Sequence, residues 1–181
     1  MKQLVALLLT LLLLCAAVSV HAEGRETEFV LNGFDTVDIY GAKADASLYE
    51  GYDLIMLNVW ATYCPPCLEE MPELGRLAEE WAPKGVRILG LVSDVLTNSL
   101  EPDEGQMALA RQVAEKTGAA YTHLVPDLEL VMKVLMGVQY VPTTIFLTGD
   151  GRLTGQVYVG SYDYDEWNTA IETTLKGLEA K

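Results

Sequence analysis

Two cysteines, Cys64 and Cys67, are the residues whose type and spacing most plainly suit chemistry. They lie in the stretch WATYCPPCLEEMPEL, with Pro65 and Pro66 between them, and they are the only cysteines after residue 22. A pair with this spacing can clamp a metal, staple the fold, or exchange disulfides as a redox centre. Each of these three uses places different demands on the rest of the chain.

The metal clamp and the structural staple are poorly supported. Structural zinc sites use four ligands, commonly from two such pairs, but after residue 22 the chain offers one pair and one histidine, His123. His123 lies in an apolar run, so we interpret it as a core residue. A disulfide between residues three apart closes a very small loop, which removes little entropy from the unfolded chain. We therefore predict no metal and no other cofactor.

The junction between a buried strand and a helix favours the redox centre. Residues 54–60 (LIMLNVW) form an apolar run of strand length, and apolar residues then recur at helical steps to about Trp81. Cys64 would therefore lie at a helix N-terminus, where free N–H groups and the macrodipole lower a thiol's pKa. Cys67 would lie one turn further on the same face. This predicts Cys64 as the nucleophile and Cys67 as the resolving thiol.

The order of the remaining elements predicts an α/β fold. After a short hairpin within residues 29–40, strands and helices alternate along the chain, and a GDG turn at residues 149–151 joins a last pair of strands before a closing helix. Alternation of this kind is typical of a largely parallel sheet flanked by helices. We expect the terminal hairpin to add an antiparallel edge.

The first 22 residues predict a targeting segment. Lys2 precedes an apolar run, and Val20-His21-Ala22 offers a cleavage site, as in a secretory signal. A retained membrane anchor and lipidation at Cys15 are the alternatives. All three place the domain outside the cytoplasm. Residues 23–28 are interpreted as a polar tether, and residues 29–181 as one domain.

The charge excludes some partners. The chain carries 26 acidic and 12 basic residues, a net charge of −14. Nucleic-acid binding requires clustered Lys and Arg, and docking to anionic lipid requires a basic segment. We therefore expect no nucleic acid as partner, and an acidic monomer that acts on other proteins.

Two motifs carry a family resemblance. NVWATYCPPCLEEMPEL at residues 58–74 and VPTTIFL at residues 141–147 resemble the TlpA/ResA branch of the thioredoxin superfamily, which comprises extracytoplasmic thiol–disulfide oxidoreductases. The resemblance runs from about residue 29 to the C-terminus. It implies a thioredoxin-like fold, with a central mixed sheet flanked by helices, an N-terminal hairpin and a central insert at residues 94–117.

The resemblance also implies roles for individual residues. Pro142 matches a cis-proline that faces the cysteine pair, and Tyr63 stands where the family usually has tryptophan. The residues implied to contact substrate are Trp60, Tyr63, Pro65, Pro66, Val141 and Pro142.

Glu70 matches an acidic residue that tunes the cysteines or takes up protons in ResA-like members. The alternative is that Glu70 belongs to a solvated acidic face, because the same helix carries four further glutamates. Asn58 stands where cytoplasmic thioredoxins have a buried aspartate. Since an amide does not exchange protons at ordinary pH, we expect that proton route to be closed.

The function that follows is reduction of disulfides in extracytoplasmic proteins. The resemblance implies a membrane protein of the CcdA/DsbD type as electron donor, and cytochrome c maturation as one task. A peroxiredoxin-type peroxidase is an alternative, although Thr62 is misplaced for a T-x-x-C nucleophile. A non-catalytic binding module or chaperone on the same scaffold is another, because fold alone does not fix function.

Overall fold

The computed structural model describes residues 28–180, which fold around two sheets. The strands and helices in chain order are β1 (Asp35–Val37), β2 (Lys43–Asp45), β3 (Leu54–Trp60), α1 (Pro65–Trp81), β4 (Val86–Val92), α2 (Glu104–Thr117), β5 (His123–Leu124), α3 (Leu128–Lys133), β6 (Thr143–Thr148), β7 (Leu153–Val159) and α4 (Tyr164–Glu179). The strands β1 and β2 pair as an antiparallel hairpin, and the other five form the main sheet.

The main sheet is mixed, in the order β5-β4-β3-β6-β7. The pairs β3–β4 and β4–β5 are parallel, whereas β3–β6 and β6–β7 are antiparallel. The expected thioredoxin-like mixed sheet is confirmed. The terminal hairpin β6–β7 forms an antiparallel edge, as expected, with β6 beside the central strand β3. Two of the four strand pairs are therefore antiparallel, so the sheet is less parallel than the alternation of elements predicts. Thr143 at the start of β6 pairs with Val59 near the end of β3, which brings the preceding loop to the cysteines.

Strand β3 is buried on both faces, which explains its unbroken apolar sequence. All seven of its residues are buried. Met56 and Trp60 pack with α1 and α4 on one face, while Leu57 and Val59 pack with the N-terminal segment and α3 on the other. Alternate residues therefore belong to two cores, as the period of a strand requires.

Helix α1 has the bounds that the sequence predicts. It begins at Pro65 directly after Cys64 and ends at Trp81. Proline suits the first turn because its missing N–H would have no partner there. A short 3-10 turn follows, and Gly85 closes it with φ of 83°, in the left-handed region that favours glycine.

Several boundaries differ from those predicted. The N-terminal hairpin lies at residues 35–45, slightly beyond the predicted range, and β7 begins at Leu153, three residues before Gln156, where the sequence predicts its start. Residues 94–117 form a loop followed by α2, which together lead from β4 toward β5. The predicted signal segment, Cys15 and nearly all of the tether lie outside the described residues. Within residues 28–180, no helix has the length and hydrophobicity needed to cross a membrane.

Candidate functional site

The two cysteines form a disulfide at the start of α1. Cys64 caps the helix, and its sulfur accepts a hydrogen bond from the Cys67 N–H at 3.2 Å. Cys64 is 5% exposed and Cys67 is fully buried. The helix N-terminus therefore points at the Cys64 sulfur, and of the two sulfur-bearing residues Cys64 is the one that solvent reaches.

The loop before β6 faces the Cys64 sulfur. The Val141–Pro142 peptide bond is cis, as the resemblance predicts. The Val141 carbonyl oxygen lies 3.5 Å from Cys64 Sγ. The Thr143 hydroxyl donates to the Tyr140 carbonyl at 2.7 Å, which fixes the other side of the turn. This loop thus places a backbone acceptor beside the sulfur that we expect to react.

Two exposed tyrosines flank this loop. Tyr63 is 74% exposed and Tyr140 is 70% exposed. Together with Ser93, Leu135 and Val141 they line part of a groove of about 300 Å³. Pro65 and Pro66 are also exposed. Tyr140 was not among the predicted site residues, because its position near Tyr63 arises only when β6 pairs with β3.

Trp60 lies beneath the site and not on its surface, so its expected contact with substrate is corrected. Its side chain is fully buried, and its indole N–H donates to His123 Nδ1 at 3.1 Å. Gly90 leaves room for this bond, since a Cβ there would lie 2.3 Å from His123 Nδ1. Trp60 can support the cysteine loop from below, but its side chain does not face a partner.

His123 is a hydrogen-bonded core residue. Its Nε2 lies 3.0 Å from the Ala119 carbonyl oxygen, so Nε2 carries the proton and Nδ1 accepts from Trp60. Burial lowers the pKa of His123 to about 4, which keeps the ring neutral near pH 7. Among residues 28–180 no cluster of three potential metal ligands is present.

Glu70 is buried behind the cysteines, at 2% exposure. One carboxylate oxygen accepts from Asn58 Nδ2 at 2.8 Å. The other accepts from the Trp167 indole N–H at 3.2 Å and from the Tyr162 backbone N–H at 3.3 Å. Glu70 therefore does not belong to a solvated acidic face, in contrast to Glu69, Glu79 and Glu80 of the same helix, which are exposed.

The environment of Glu70 makes it a group that can titrate near neutral pH. Desolvation raises the pKa of Glu70 to about 7, against the opposing effect of hydrogen bonds from Asn58, Tyr162 and Trp167. Three donors hold the carboxylate in place while burial destabilises its charge. No sequence signal points to Tyr162 and Trp167 as its partners, because they lie more than 90 residues away.

A disulfide at a helix start, a facing cis-proline and a mixed sheet between helices define a thioredoxin-like protein. The AhpC/TSA family matches residues 27–154 of the chain. Since this match covers most of the sequence, the chain belongs to the AhpC/TSA family.

Relatives of this chain are named for disulfide exchange. The thiol-disulfide oxidoreductase ResA of Halalkalibacterium halodurans is 29% identical over 123 residues, which are 68% of this chain and 62% of that protein. The match thus spans less than two thirds of that relative. The thiol:disulfide interchange protein HelX of Rhodobacter capsulatus is 31% identical over 140 residues, which are 76% of this chain and 70% of that protein.

Solved structures share the thioredoxin-like fold of this chain. A thioredoxin-family thiol:disulfide interchange protein from Chlorobium tepidum TLS superposes with a TM-score of 0.66, at 19% identity, over 82% of this chain and 97% of that one. A secreted disulfide oxidoreductase from Mycobacterium tuberculosis gives 0.58 at 20% identity, over 77% and 95%. At these identities the likeness concerns the fold.

Proposed function

We propose that this chain is a thiol–disulfide oxidoreductase that reduces disulfides in other proteins through Cys64 and Cys67. The observation that carries the proposal is the disulfide at the start of α1, with the more accessible Cys64 sulfur facing the Val141 carbonyl. The relatives named ResA and HelX support the same reaction class.

The reaction begins from the reduced protein. The Cys64 thiolate attacks one sulfur of a substrate disulfide, which forms a mixed disulfide and releases the first substrate thiolate, and that thiolate then takes a proton. Cys67 loses its proton and attacks Cys64 Sγ, which re-forms the internal disulfide and releases the second substrate thiolate, protonated in turn. Two electrons thus pass from the protein to its substrate. Of the two protons that the substrate thiolates take up, one balances the proton lost by Cys67, and the other comes from the solvent, which received the Cys64 proton when the thiolate formed.

Glu70 is proposed as the acceptor of the Cys67 proton. It lies three residues after Cys67, on the same face of α1, and its pKa of about 7 suits proton exchange near neutral pH. Asn58 cannot take this role but holds the carboxylate by its amide N–H. Cytoplasmic thioredoxins have a buried aspartate on the strand, at the position of Asn58. In this chain the proton-accepting carboxylate would instead lie on α1, at Glu70.

Reduction of insulin tests the proposal. With dithiothreitol as electron source, the wild-type protein should accelerate the precipitation of insulin chains, and Cys64→Ala should not. A Cys64→Ala variant as active as the wild type would overturn the proposal. Consumption of hydrogen peroxide by Cys67→Ser would instead support a peroxidase. The Thr62 hydroxyl, which such a mechanism would need, donates to Asp94.

The direction of electron flow is proposed to be toward the substrate. Known dithiol proteins have potentials from about −270 mV in reductants to about −120 mV in oxidants. We expect a potential near the reducing end, measured by equilibration with glutathione. A potential near −120 mV would make the protein an oxidant and would overturn this part of the proposal.

The cellular setting follows from the N-terminal residues. Residues 1–22 are proposed to direct residues 29–181 out of the cytoplasm, as a cleaved signal or as an anchor, where a CcdA/DsbD-type membrane protein supplies electrons and apocytochrome c is one substrate. Cell fractionation with N-terminal sequencing of the recovered protein tests this. A chain that starts at Glu23 outside the cytoplasm supports a cleaved signal, whereas a cytoplasmic chain that retains residues 1–22 contradicts the proposal.

A further inference from the structure

Two loops are tied together where β3 and β4 end. The Thr62 backbone N–H donates to both oxygens of the Asp94 carboxylate at 3.1 Å, and the Thr62 hydroxyl donates to Oδ2 at 2.5 Å. Next to this pair, the Ser93 N–H and hydroxyl both donate to the Trp60 carbonyl, at 2.9 and 3.0 Å. Parallel neighbouring strands end at the same edge of a sheet, which brings these loops together.

The tied loop is the one that leads into the reactive cysteine. Ser93 fixes the carbonyl of Trp60, and Asp94 fixes Thr62. The Cys64 N–H donates to the Ala61 carbonyl at 3.2 Å, which closes the turn before α1 begins. Thr62 is nearly buried, so its bonds to a carboxylate lie partly shielded from water, where hydrogen bonds to charged groups are strongest.

We propose that Asp94 is a positioning residue for the cysteine pair. By holding Thr62, its carboxylate keeps the turn in place and thereby keeps the Cys64 sulfur at the N-terminus of α1, where it accepts from the Cys67 N–H. The reduced Cys64 thiolate depends on this placement for its stability. The inference concerns the site of the disulfide exchange proposed above and rests on that function.

Substitution of Asp94 should shift the pKa of Cys64 in opposite directions, depending on whether Asp94 acts by positioning the turn or only by its charge. A carboxylate close to a thiolate raises the thiol's pKa by repulsion, so loss of the charge alone would lower the pKa of Cys64. Loss of the hydrogen bonds to Thr62 would loosen the turn, withdraw the sulfur from the helix N-terminus and raise that pKa. The sign of the shift therefore separates the two roles.

The test measures how fast iodoacetamide alkylates Cys64 in the reduced protein as a function of pH, with the modified residue identified by mass spectrometry. We expect Asp94→Ala to raise the pKa of Cys64 by about one unit, which lowers the thiolate fraction about tenfold at pH values below both pKa values. Asp94→Asn keeps an acceptor oxygen for Thr62 and should stay close to the wild type. Thr62→Val should shift the pKa in the same direction as Asp94→Ala but by less, whereas Thr62→Ser should not shift it.

Two results would overturn the inference: an unchanged pKa of Cys64 in Asp94→Ala, or a lowered pKa of Cys64 in Asp94→Ala. If Asp94→Ala does not fold, Asp94→Asn and the two Thr62 variants decide by the same measurement. Alkylation requires no protein substrate. If the wild type does not reduce insulin but the pKa of Cys64 shifts in the variants as expected, the proposed function is contradicted and the positioning role of Asp94 is supported.

Discussion

Asn58 donates to Glu70 at 2.8 Å inside the core, so the strand that precedes the cysteines and the helix that follows them meet at a buried carboxylate. Asn58 also donates to the Thr144 hydroxyl on β6 at 3.0 Å. The amide thus links Glu70 to the strand that begins after the cis-proline loop. Three parts of the site are joined through one side chain.

The pH dependence of stability should report on Glu70. Its pKa is raised from 4.5 to about 7 in the folded protein, so the folded state binds more protons than the unfolded state between these values. The stability associated with protonated Glu70 is complete below pH 4.5 and is lost as the pH rises through 7. This difference in pKa corresponds to about 3 kcal/mol.

Denaturant unfolding of the oxidised protein at a series of pH values measures this effect, with Glu70→Gln as the variant. We expect the free energy of unfolding of the wild type to fall relative to the variant between pH 4.5 and 7. Glu79→Gln, which changes an exposed glutamate of the same helix, should follow the wild type. Parallel curves for the wild type and Glu70→Gln would show that Glu70 ionises normally.

Gly90 should not tolerate a side chain. A Cβ there would lie 2.3 Å from His123 Nδ1 and 3.0 Å from Trp60 Nε1, so Gly90→Ala must displace two buried rings beneath the site. Overpacking of this kind costs about 1–3 kcal/mol, and denaturant unfolding measures it. Gly177→Ala is the control, because a Cβ on this exposed residue of α4 meets nothing within 4 Å. Equal stability of the two variants would contradict the close packing of His123 and Trp60 against Gly90.

Substitution of Tyr63 should lower the activity on protein substrates more than it lowers the stability of the fold. Because it is 74% exposed beside Cys64, Tyr63→Ser should lower kcat/KM for a disulfide-containing protein about tenfold, the loss of roughly 1.4 kcal/mol of contact energy. The melting temperature should barely change, as is usual at exposed positions. Tyr40→Ser alters another exposed tyrosine, in the turn of the hairpin β1–β2, and should leave kcat/KM unchanged. Equal losses in both variants would remove Tyr63 from the contact surface.

The sequence predicts the elements around the cysteines well because their signals are local. The apolar run at residues 54–60 predicts β3, and the observed strand has these bounds. The helical spacing up to Trp81, with Pro83 and Gly85 after it, predicts the end of α1, and the observed helix ends there. The sequence predicts the start of β7 too late, because four of the seven residues of this edge strand are exposed and its alternation is weak. The place of β6 beside β3 depends on where the loop before Pro142 leads, which the order of elements does not reveal.

The sequence does not predict the hydrogen-bond partners of the site residues, because these bonds join residues that are far apart in the chain. Residue spacing does not distinguish Glu70 from the other glutamates of α1, and only the resemblance singles it out. Its burial depends on Asn58 and Trp167, which lie 12 and 97 residues away. Asp94 meets Thr62 across 32 residues. Trp60 was expected at the surface by resemblance alone, and only its bond to His123 shows which way the indole points.

Trapping of a mixed disulfide tests the central assignment most directly. Reduced Cys67→Ala, incubated with a disulfide-containing protein, should accumulate a covalent complex that dithiothreitol releases, because the resolving thiol beside Cys64 is gone. Mass spectrometry should locate the link at Cys64, and Cys64→Ala should form far less complex, since Cys67 is fully buried. A complex linked through Cys67 in Cys64→Ala, as abundant as that of Cys67→Ala, would contradict the assignment of Cys64 as nucleophile.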